Sequence, residues 1–207
     1  SPGEDSQCSL NNTVIQSTVL ESIIAAAANW AHVPTDVLIA VVRGEGCGGG
    51  DRVGGICQYT DDQVNQFSAA GAKDPRNCLP RGRASGPLQI YYDSVNWDPW
   101  KNAVNMGTGE NRTPEICNIK DSVYAAAYIL SAYYDGCANA NHNVNNTPTN
   151  WSETDKQRAL TGWAQGCSAQ LCSGVAGGFY CQKLEEWSGQ TTPGQCEDDS
   201  TEVDTDP

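Results

Sequence analysis

Residues 37–45 read VLIAVVRGE, an apolar run that ends in a carboxyl group. Val37, Val41 and Glu45 are spaced four residues apart, so the Glu45 carboxyl lies close to the apolar face of a predicted helix. A carboxyl on a buried face must be paired or protonated, because burial disfavours its charged form. A protonated glutamic acid is what general acid catalysis requires. Glu45 is therefore a candidate general acid, and the simpler alternative is a solvated glutamate at a frayed helix end.

Helical periodicity recurs along most of the chain. It predicts helices at residues 13–30, 35–45, near 60–70, and at 119–134, 153–166 and 176–187. Residues 85–92 are expected to form a strand or a turn that leads into a further helix. Strand signals are otherwise sparse, so the expected fold class is mainly α with little β structure.

The length of 207 residues suits one domain with a proper core. Residues 1–12 are predicted to form an N-terminal arm, residues 13–190 the domain, and residues 191–207 an acidic flexible tail. The chain begins at Ser1 without a signal peptide, so we expect a mature or trimmed product.

Ten cysteines are far more than an ordinary cytosolic protein carries. No pair has the C-x2-C spacing of zinc sites, and only His32 and His142 offer imidazole ligands, so we expect no metal and no cofactor. An even number of cysteines without metal spacing indicates up to five disulfides. They predict a disulfide-stapled protein that is secreted or displayed at the cell surface. The pairing does not follow from the sequence.

The formal net charge of −13 argues against nucleic acid as a partner, because phosphate binding needs a basic surface. It also disfavours capture by anionic membranes or polymers. No apolar run is long enough to span a bilayer. We expect a monomer.

Five short segments follow one another in a defined order: ANWAHVP at 28–34, SGPLQI at 85–90, Asn118-Ile119 ahead of an Ala- and Tyr-rich helix, GWAQG at 162–166 and FYCQKL at 179–184. Together they resemble the lytic transglycosylases and goose-type lysozymes of the lysozyme-like superfamily. The matching family features are the approach to the catalytic glutamate, the Gly-Leu-Met-Gln signature, the Asn-Ile helix start, the Ala-Tyr-Asn-Ala-Gly segment and the closing Tyr-Val-x-Lys helix. The resemblance extends over residues 20–187.

This resemblance implies a lysozyme-like fold and a glycosidase with Glu45 as its general acid. The implied substrate is peptidoglycan or a related β-1,4 amino-sugar polymer, cleaved between MurNAc and GlcNAc. The side chains that the resemblance places on the substrate are Ser85, Gln89, Ile90, Trp163, Gln165 and Tyr180, and Tyr180 is also expected to hydrogen-bond near Glu45. Each has a structural alternative, as a turn hydroxyl, a capping amide or a core aromatic residue.

The chain departs from the family at several of these positions. Gly46 stands where many members have Ser, Pro87 replaces Leu, Trp163 replaces Tyr and Ala164 replaces Asn. Gln165 is the candidate to supply the missing amide group.

Two reaction routes remain open after the acid step. A hydrolase needs a second carboxylate to activate water, whereas a transglycosylase lets the C6 hydroxyl of the substrate close a 1,6-anhydro ring. Asp93 is the best second carboxylate, although it equally suits a turn or a helix start, and Asp51, Asp61 and Asp62 are weaker. Without a secure second acid, the transglycosylase route is favoured.

Other functions stay open as well. Tyr91, Tyr92, Trp97 and Trp100 form an aromatic cluster that suits either the wall of a sugar subsite or the anchoring of a loop. Chitin is neutral and fits the acidic chain better than peptidoglycan does. A non-catalytic glycan-binding module is the remaining alternative.

Overall fold

The computed structural model describes residues 14–47, 55–78, 84–91, 97–138 and 141–187, without the side chains of 84, 85, 91 and 97–99. The predicted arm at 1–12 and the predicted tail at 191–207 lie outside these residues. The described chain is mainly helical with little β structure, as expected. Its elements are α1 (Thr18–Ala31), α2 (Thr35–Gly46), α3 (Asp61–Ser68), β1 (Ala84–Ser85), β2 (Ile90–Tyr91), α4 (Trp97–Thr108), α5 (Ile119–Tyr134), α6 (Glu153–Gln165) and α7 (Gly174–Trp187), with 3₁₀ turns at Ile56–Gln58 and Val144–Asn146.

Helix α5 forms the centre of the domain. Every residue from Ile119 to Ala132 is buried except Lys120, which is half-buried. A helix that is buried all round needs apolar or small residues on every face, and the alanines at 125–127 supply the small ones. Helices α1, α2, α3, α4 and α6 all pack against α5.

Capping side chains fix where the helices begin. The apolar pattern predicts the first helix from residue 13, but α1 begins at Thr18, because the Ser17 hydroxyl caps it. Asn118 and Ser152 cap α5 and α6 in the same way, and both helices lie within one residue of their predicted bounds. The predicted start of the first helix was wrong because a local hydrogen bond outweighs an apolar pattern.

The segment predicted as a strand or turn forms a tight hairpin. β1 and β2 pair antiparallel, with Ser85 opposite Ile90, and a turn over residues 86–89 joins them. Gly86 has φ +78°, and a Cβ at this position would collide with the carbonyl oxygen of Ile116. Only glycine suits both conditions. The hairpin precedes α4, the further helix that was expected there.

Four disulfides staple the described part of the chain: Cys47–Cys57, Cys78–Cys117, Cys137–Cys167 and Cys172–Cys181. Cys8 and Cys196 lie outside it. The bridges join residues 9 to 39 positions apart. Loops of this size contribute roughly 3 kcal/mol each in the chain-entropy account. Their number is consistent with a protein that is secreted or that resides in another oxidising compartment.

Two further observations concern metal binding and the membrane. The described residues contain no group of His, Cys, Asp and Glu side chains arranged to hold a metal ion. None of the described helices combines the length and apolar character needed to cross a bilayer.

A buried histidine ties the loop after α5 back to that helix. The His142 side chain is 4% exposed, and its Nε2 lies 2.8 Å from Ser131 Oγ and 3.0 Å from Thr147 Oγ1. Tyr128 donates a hydrogen bond to the His142 carbonyl at 2.6 Å. Burial lowers the pKa of His142, and the carboxylate of Asp135 offsets this only in part. The folded chain therefore favours the neutral imidazole.

We predict that His142 makes the fold less stable in mild acid. Its pKa is lower in the folded than in the unfolded chain, so the unfolded chain binds more protons and stability falls as the pH drops below about 6.5. For one proton the slope is at most about 1.4 kcal/mol per pH unit. Urea denaturation between pH 7.5 and pH 5 measures it, and the slope is expected to be shallower in His142→Gln. Parallel curves for the two proteins would contradict this expectation.

Candidate active site

Glu45 lies in the last turn of α2, as the apolar pattern predicts. Val37 and Val41, on the same stripe, are fully buried, and Glu45 is half-buried. The helix is not frayed at this end: it continues to Gly46, and the next residue, Cys47, is held by a disulfide. The carboxyl therefore stands at the edge of the core on a well-supported helix.

Two hydrogen-bond donors converge on one oxygen of Glu45. The Tyr180 hydroxyl donates to Oε1 at 2.7 Å, and the Trp163 indole N–H donates to the same oxygen at 3.3 Å. Burial, and after it the negative charge and hydrogen bond of Glu45, raises the pKa of Tyr180 far above its usual value. Tyr180 therefore keeps its proton and acts as a donor. The expectation that Tyr180 hydrogen-bonds near Glu45 matches this geometry.

Gly44 allows α7 to come close enough for this contact. A Cβ at position 44 would lie 2.6 Å from the Tyr180 hydroxyl oxygen and 2.7 Å from Cε1. Tyr180 is 3% exposed, so its ring has little room to move away. No role was predicted for Gly44. The available signal was a glycine, a poor helix former, directly before a candidate acid on a helix.

Helix α7 is fastened to its neighbours at its C-terminus and at its middle. Near its C-terminus the Trp187 ring lies 4.5 Å from the guanidinium carbon of Arg43 on α2, and both side chains are buried. In the middle of the helix, the Cys172–Cys181 bridge joins it to the preceding loop. The Cys172 N–H in turn donates to the Thr161 hydroxyl on α6 at 2.9 Å. These contacts hold α2, α6 and α7 as one frame around the carboxyl.

The hairpin packs against the same end of α2. Leu88 is fully buried, and a Cβ at Gly46 would lie 3.1 Å from its Cδ2. Gln89 is half-buried with φ +52°, and its side-chain amide donates to the Gly86 carbonyl at 3.0 Å. Ile90 is buried within the core. Gln89 and Ile90, both predicted to bind substrate, thus have structural contacts at this position.

The candidates for a second carboxylate are only partly described. Asp93 and Asp51 lie outside the described residues, as does the Ser85 side chain. Asp61 is described, and it accepts hydrogen bonds from the Ser17 hydroxyl at 2.7 Å and from the backbone at the start of α1. These bonds lower the pKa of Asp61. Its contacts join α1 to α3 and are not made to the Glu45 carboxyl.

Two further predicted residues have structural surroundings. Gln165 is exposed, and a Cβ at Gly174 would collide with its amide group, so this side chain lies against the start of α7. Trp100, from the predicted aromatic cluster, is buried with its ring centroid 5.3 Å from that of Tyr128. Trp100 is therefore a core residue and not part of a subsite wall.

An exposed aromatic ring adjoins the site and was missed from the sequence. Phe179 is 40% exposed, and its ring meets that of Tyr180 edge-on, with centroids 5.4 Å apart. Lys183 Nζ lies 5.8 Å from the centroid of the same ring. The apolar face of an aromatic ring suits the CH surface of a sugar. The sequence signal that could have identified Phe179 was its position directly before Tyr180.

We predict that Gly44→Ala destabilises the protein by about 1–3 kcal/mol, because the added methyl group overpacks the contact with Tyr180. The control is Gly178→Ala on α7, where a Cβ would meet only an ordinary contact at 3.6 Å. That variant is expected to be neutral or slightly more stable, since alanine favours a helix. Thermal unfolding compares the two. Equal melting temperatures would show that Tyr180 does not need glycine at position 44.

No family model, no curated protein and no solved structure matches this chain. A function must therefore be argued from the carboxyl of Glu45 and the groups that surround it.

Proposed function

We propose that this protein is a glycosidase in which Glu45 acts as general acid on a β-1,4-linked amino-sugar polymer. The observation that carries the proposal is the convergence of Tyr180 and Trp163 on one oxygen of Glu45. Two fixed donors hold a half-buried carboxyl in one orientation, and an acid that protonates a glycosidic oxygen needs a defined orientation. The five resembling segments support a lysozyme-like fold as part of the same proposal.

The substrate proposed is peptidoglycan, and the reaction is that of a lytic transglycosylase. Glu45 gives its proton to the oxygen that links MurNAc to GlcNAc, and the bond from C1 of MurNAc to that oxygen breaks through an oxocarbenium-like transition state. The C6 hydroxyl of the same MurNAc then attacks C1. Its proton passes to Glu45, which is thereby restored, and the product carries a 1,6-anhydro ring.

The contacts of Asp61 support this route over hydrolysis. Hydrolysis needs a second carboxylate to activate water, and Asp61 is engaged at the start of α1. A goose-type-like lysozyme that relies on Asp93 is the alternative route. The four disulfides support action in an extracellular or cell-surface setting.

Chitin is a second candidate substrate, favoured by the charge of the chain. The formal net charge is −13. An anionic polymer is attracted by positively charged side chains that are not already paired with carboxylates. Six of the described cations already pair with carboxylates: Lys73, Arg112, Lys120, Lys156, Arg158 and Lys183. A neutral polymer of N-acetylglucosamine avoids the repulsion that anionic wall polymers would meet.

We predict that Glu45→Gln abolishes measurable cleavage while the protein remains folded. Removal of a general acid lowers kcat by about 10²- to 10⁴-fold. The measurement is mass spectrometry of the soluble products after incubation with purified peptidoglycan. The control, Glu153→Gln, makes the same chemical change at an exposed site in the first turn of α6 and is expected to keep full activity.

The products distinguish the alternatives. Anhydro-muropeptides, each one water lighter than the hydrolytic product, support the transglycosylase. Reducing-end muropeptides would redirect the mechanism to a lysozyme with Asp93. Cleavage of chitin oligomers alone would establish the second substrate, and binding without any cleavage would leave a glycan-binding module.

A further inference from the structure

We infer that the Cys137–Cys167 bridge is a redox-responsive site, the one of the four described bridges on which a dithiol reductant acts first. This inference goes beyond the proposed function, since it concerns the oxidation state of the chain and not the cleavage of a glycan. Its basis is the exposure of the two cysteines, the open space beside them and the place of the bridge in the fold.

The four bridges differ in their exposure to solvent. Cys137 and Cys167 are both exposed. At the other extreme, Cys47 is 1% exposed and its partner Cys57 is fully buried. The two remaining described bridges contain no exposed cysteine. A disulfide opens when a thiolate reaches and attacks one of its sulfur atoms, so the bridge that is exposed on both sides is the most readily reduced.

Both cysteines of this bridge directly follow a glycine at the end of a helix. Gly136 comes two residues after α5 and has φ +118°, and Gly166 comes directly after α6 and has φ +91°. Positive φ angles of this kind suit glycine. A Cβ placed at either glycine would meet no atom of the described chain within 4 Å. The space beside the bridge is therefore open on both helix ends, which leaves room for an attacking thiol.

A dithiol reductant opens such a bridge in two balanced steps. One thiolate of the reductant attacks a sulfur of the bridge, which forms a mixed disulfide and releases the other cysteine as a thiolate. The second thiol of the reductant then attacks its own sulfur in the mixed disulfide and displaces the remaining cysteine. Two electrons pass to the protein, which now carries two thiols, and the reductant leaves as a cyclic disulfide.

The bridge holds the end of the helix that carries Trp163. It joins the chain just after α5 to the chain just after α6, between cysteines that are 30 positions apart. Trp163 lies in the last turn of α6, where the Gly166 N–H donates to the Gly162 carbonyl at 2.8 Å. Opening the bridge removes the covalent tie at this turn and leaves the turn to non-covalent contacts alone.

The redox state of the bridge therefore bears on the candidate site. Trp163 donates to Glu45 Oε1 at 3.3 Å, and this bond requires the end of α6 to keep a fixed position. With the bridge open, the turn moves more and the donor leaves the carboxyl for part of the time. The last step alone rests on the proposed function: reduction lowers the activity of the glycosidase, and reoxidation restores it.

The first test is the order in which the bridges open. The folded protein is incubated with increasing dithiothreitol in the absence of denaturant, its thiols are trapped by alkylation, and mass spectrometry identifies the modified cysteines. We expect Cys137 and Cys167 to react together, at a dithiothreitol concentration roughly tenfold lower than Cys47 and Cys57 require. The inference is overturned if another described bridge opens first, or if all four open at one concentration, as they would through global unfolding.

A matched pair of variants tests the effect on α6. Cys137→Ser/Cys167→Ser removes the exposed bridge, and Cys78→Ser/Cys117→Ser removes a bridge of similar separation, 39 positions, at the other end of α5. Only the first variant is expected to speed amide hydrogen exchange in residues 160–167 several-fold. Unchanged exchange there, or the same acceleration in both variants, would show that the exposed bridge does not hold this turn.

Cleavage assays on purified peptidoglycan and chitin oligomers separate this inference from the proposed function. At the dithiothreitol concentration that opens only the exposed bridge, activity should fall, and it should return on reoxidation. The Cys137→Ser/Cys167→Ser variant should have the lower activity with no response to the reductant. Equal activity of the oxidised and reduced proteins would refute the regulation. If neither form cleaves a polymer while the bridges open in the expected order, the redox site stands and the proposed function alone is refuted.

Discussion

The burial of α5 on all of its faces is the constraint on which the rest of the domain depends. A helix of this kind cannot satisfy its surface with one partner, so α1, α2, α3, α4 and α6 must each cover part of it. Its polar N-terminus is covered too: Asn118 is fully buried, caps α5, and donates its amide N–H to the carbonyls of Ala69 and Ala72 after α3. The positions of α2 and α6 around this axis bring Glu45 and Trp163 within reach of each other.

The fold was largely accessible from the sequence because its helices carry local signals. The helices capped by Asn118 and Ser152 were predicted almost to the residue, since a cap and an apolar stripe coincide there. The start of α1 was not, because its position depends on Ser17, which also bonds to Asp61 across 44 residues of chain. The disulfide pairing was equally inaccessible, since it depends on which loops meet in space.

The candidate site shows the same division between local and long-range information. Glu45 was identified as a candidate acid from the apolar pattern of its own helix, and Tyr180 was identified as a site residue from the family resemblance. The contacts that define the site join residues 118 and 135 positions apart, and no local pattern encodes them. Gly44 illustrates the cost of such a contact: a glycine in a helix lowers stability by about 0.5–1 kcal/mol, and here it makes room for the Tyr180 ring. Such local conflicts are typical of functional positions.

The order of the disulfides has a consequence for biosynthesis. Each described bridge joins one described cysteine to the next along the chain, so that no bridge encloses or crosses another. The polypeptide emerges from the ribosome and enters an oxidising compartment from its N-terminus onwards. When the second cysteine of each pair arrives there, the thiol made just before it is its native partner. The four bonds can thus close in the order of translation, each as soon as its second cysteine has been made.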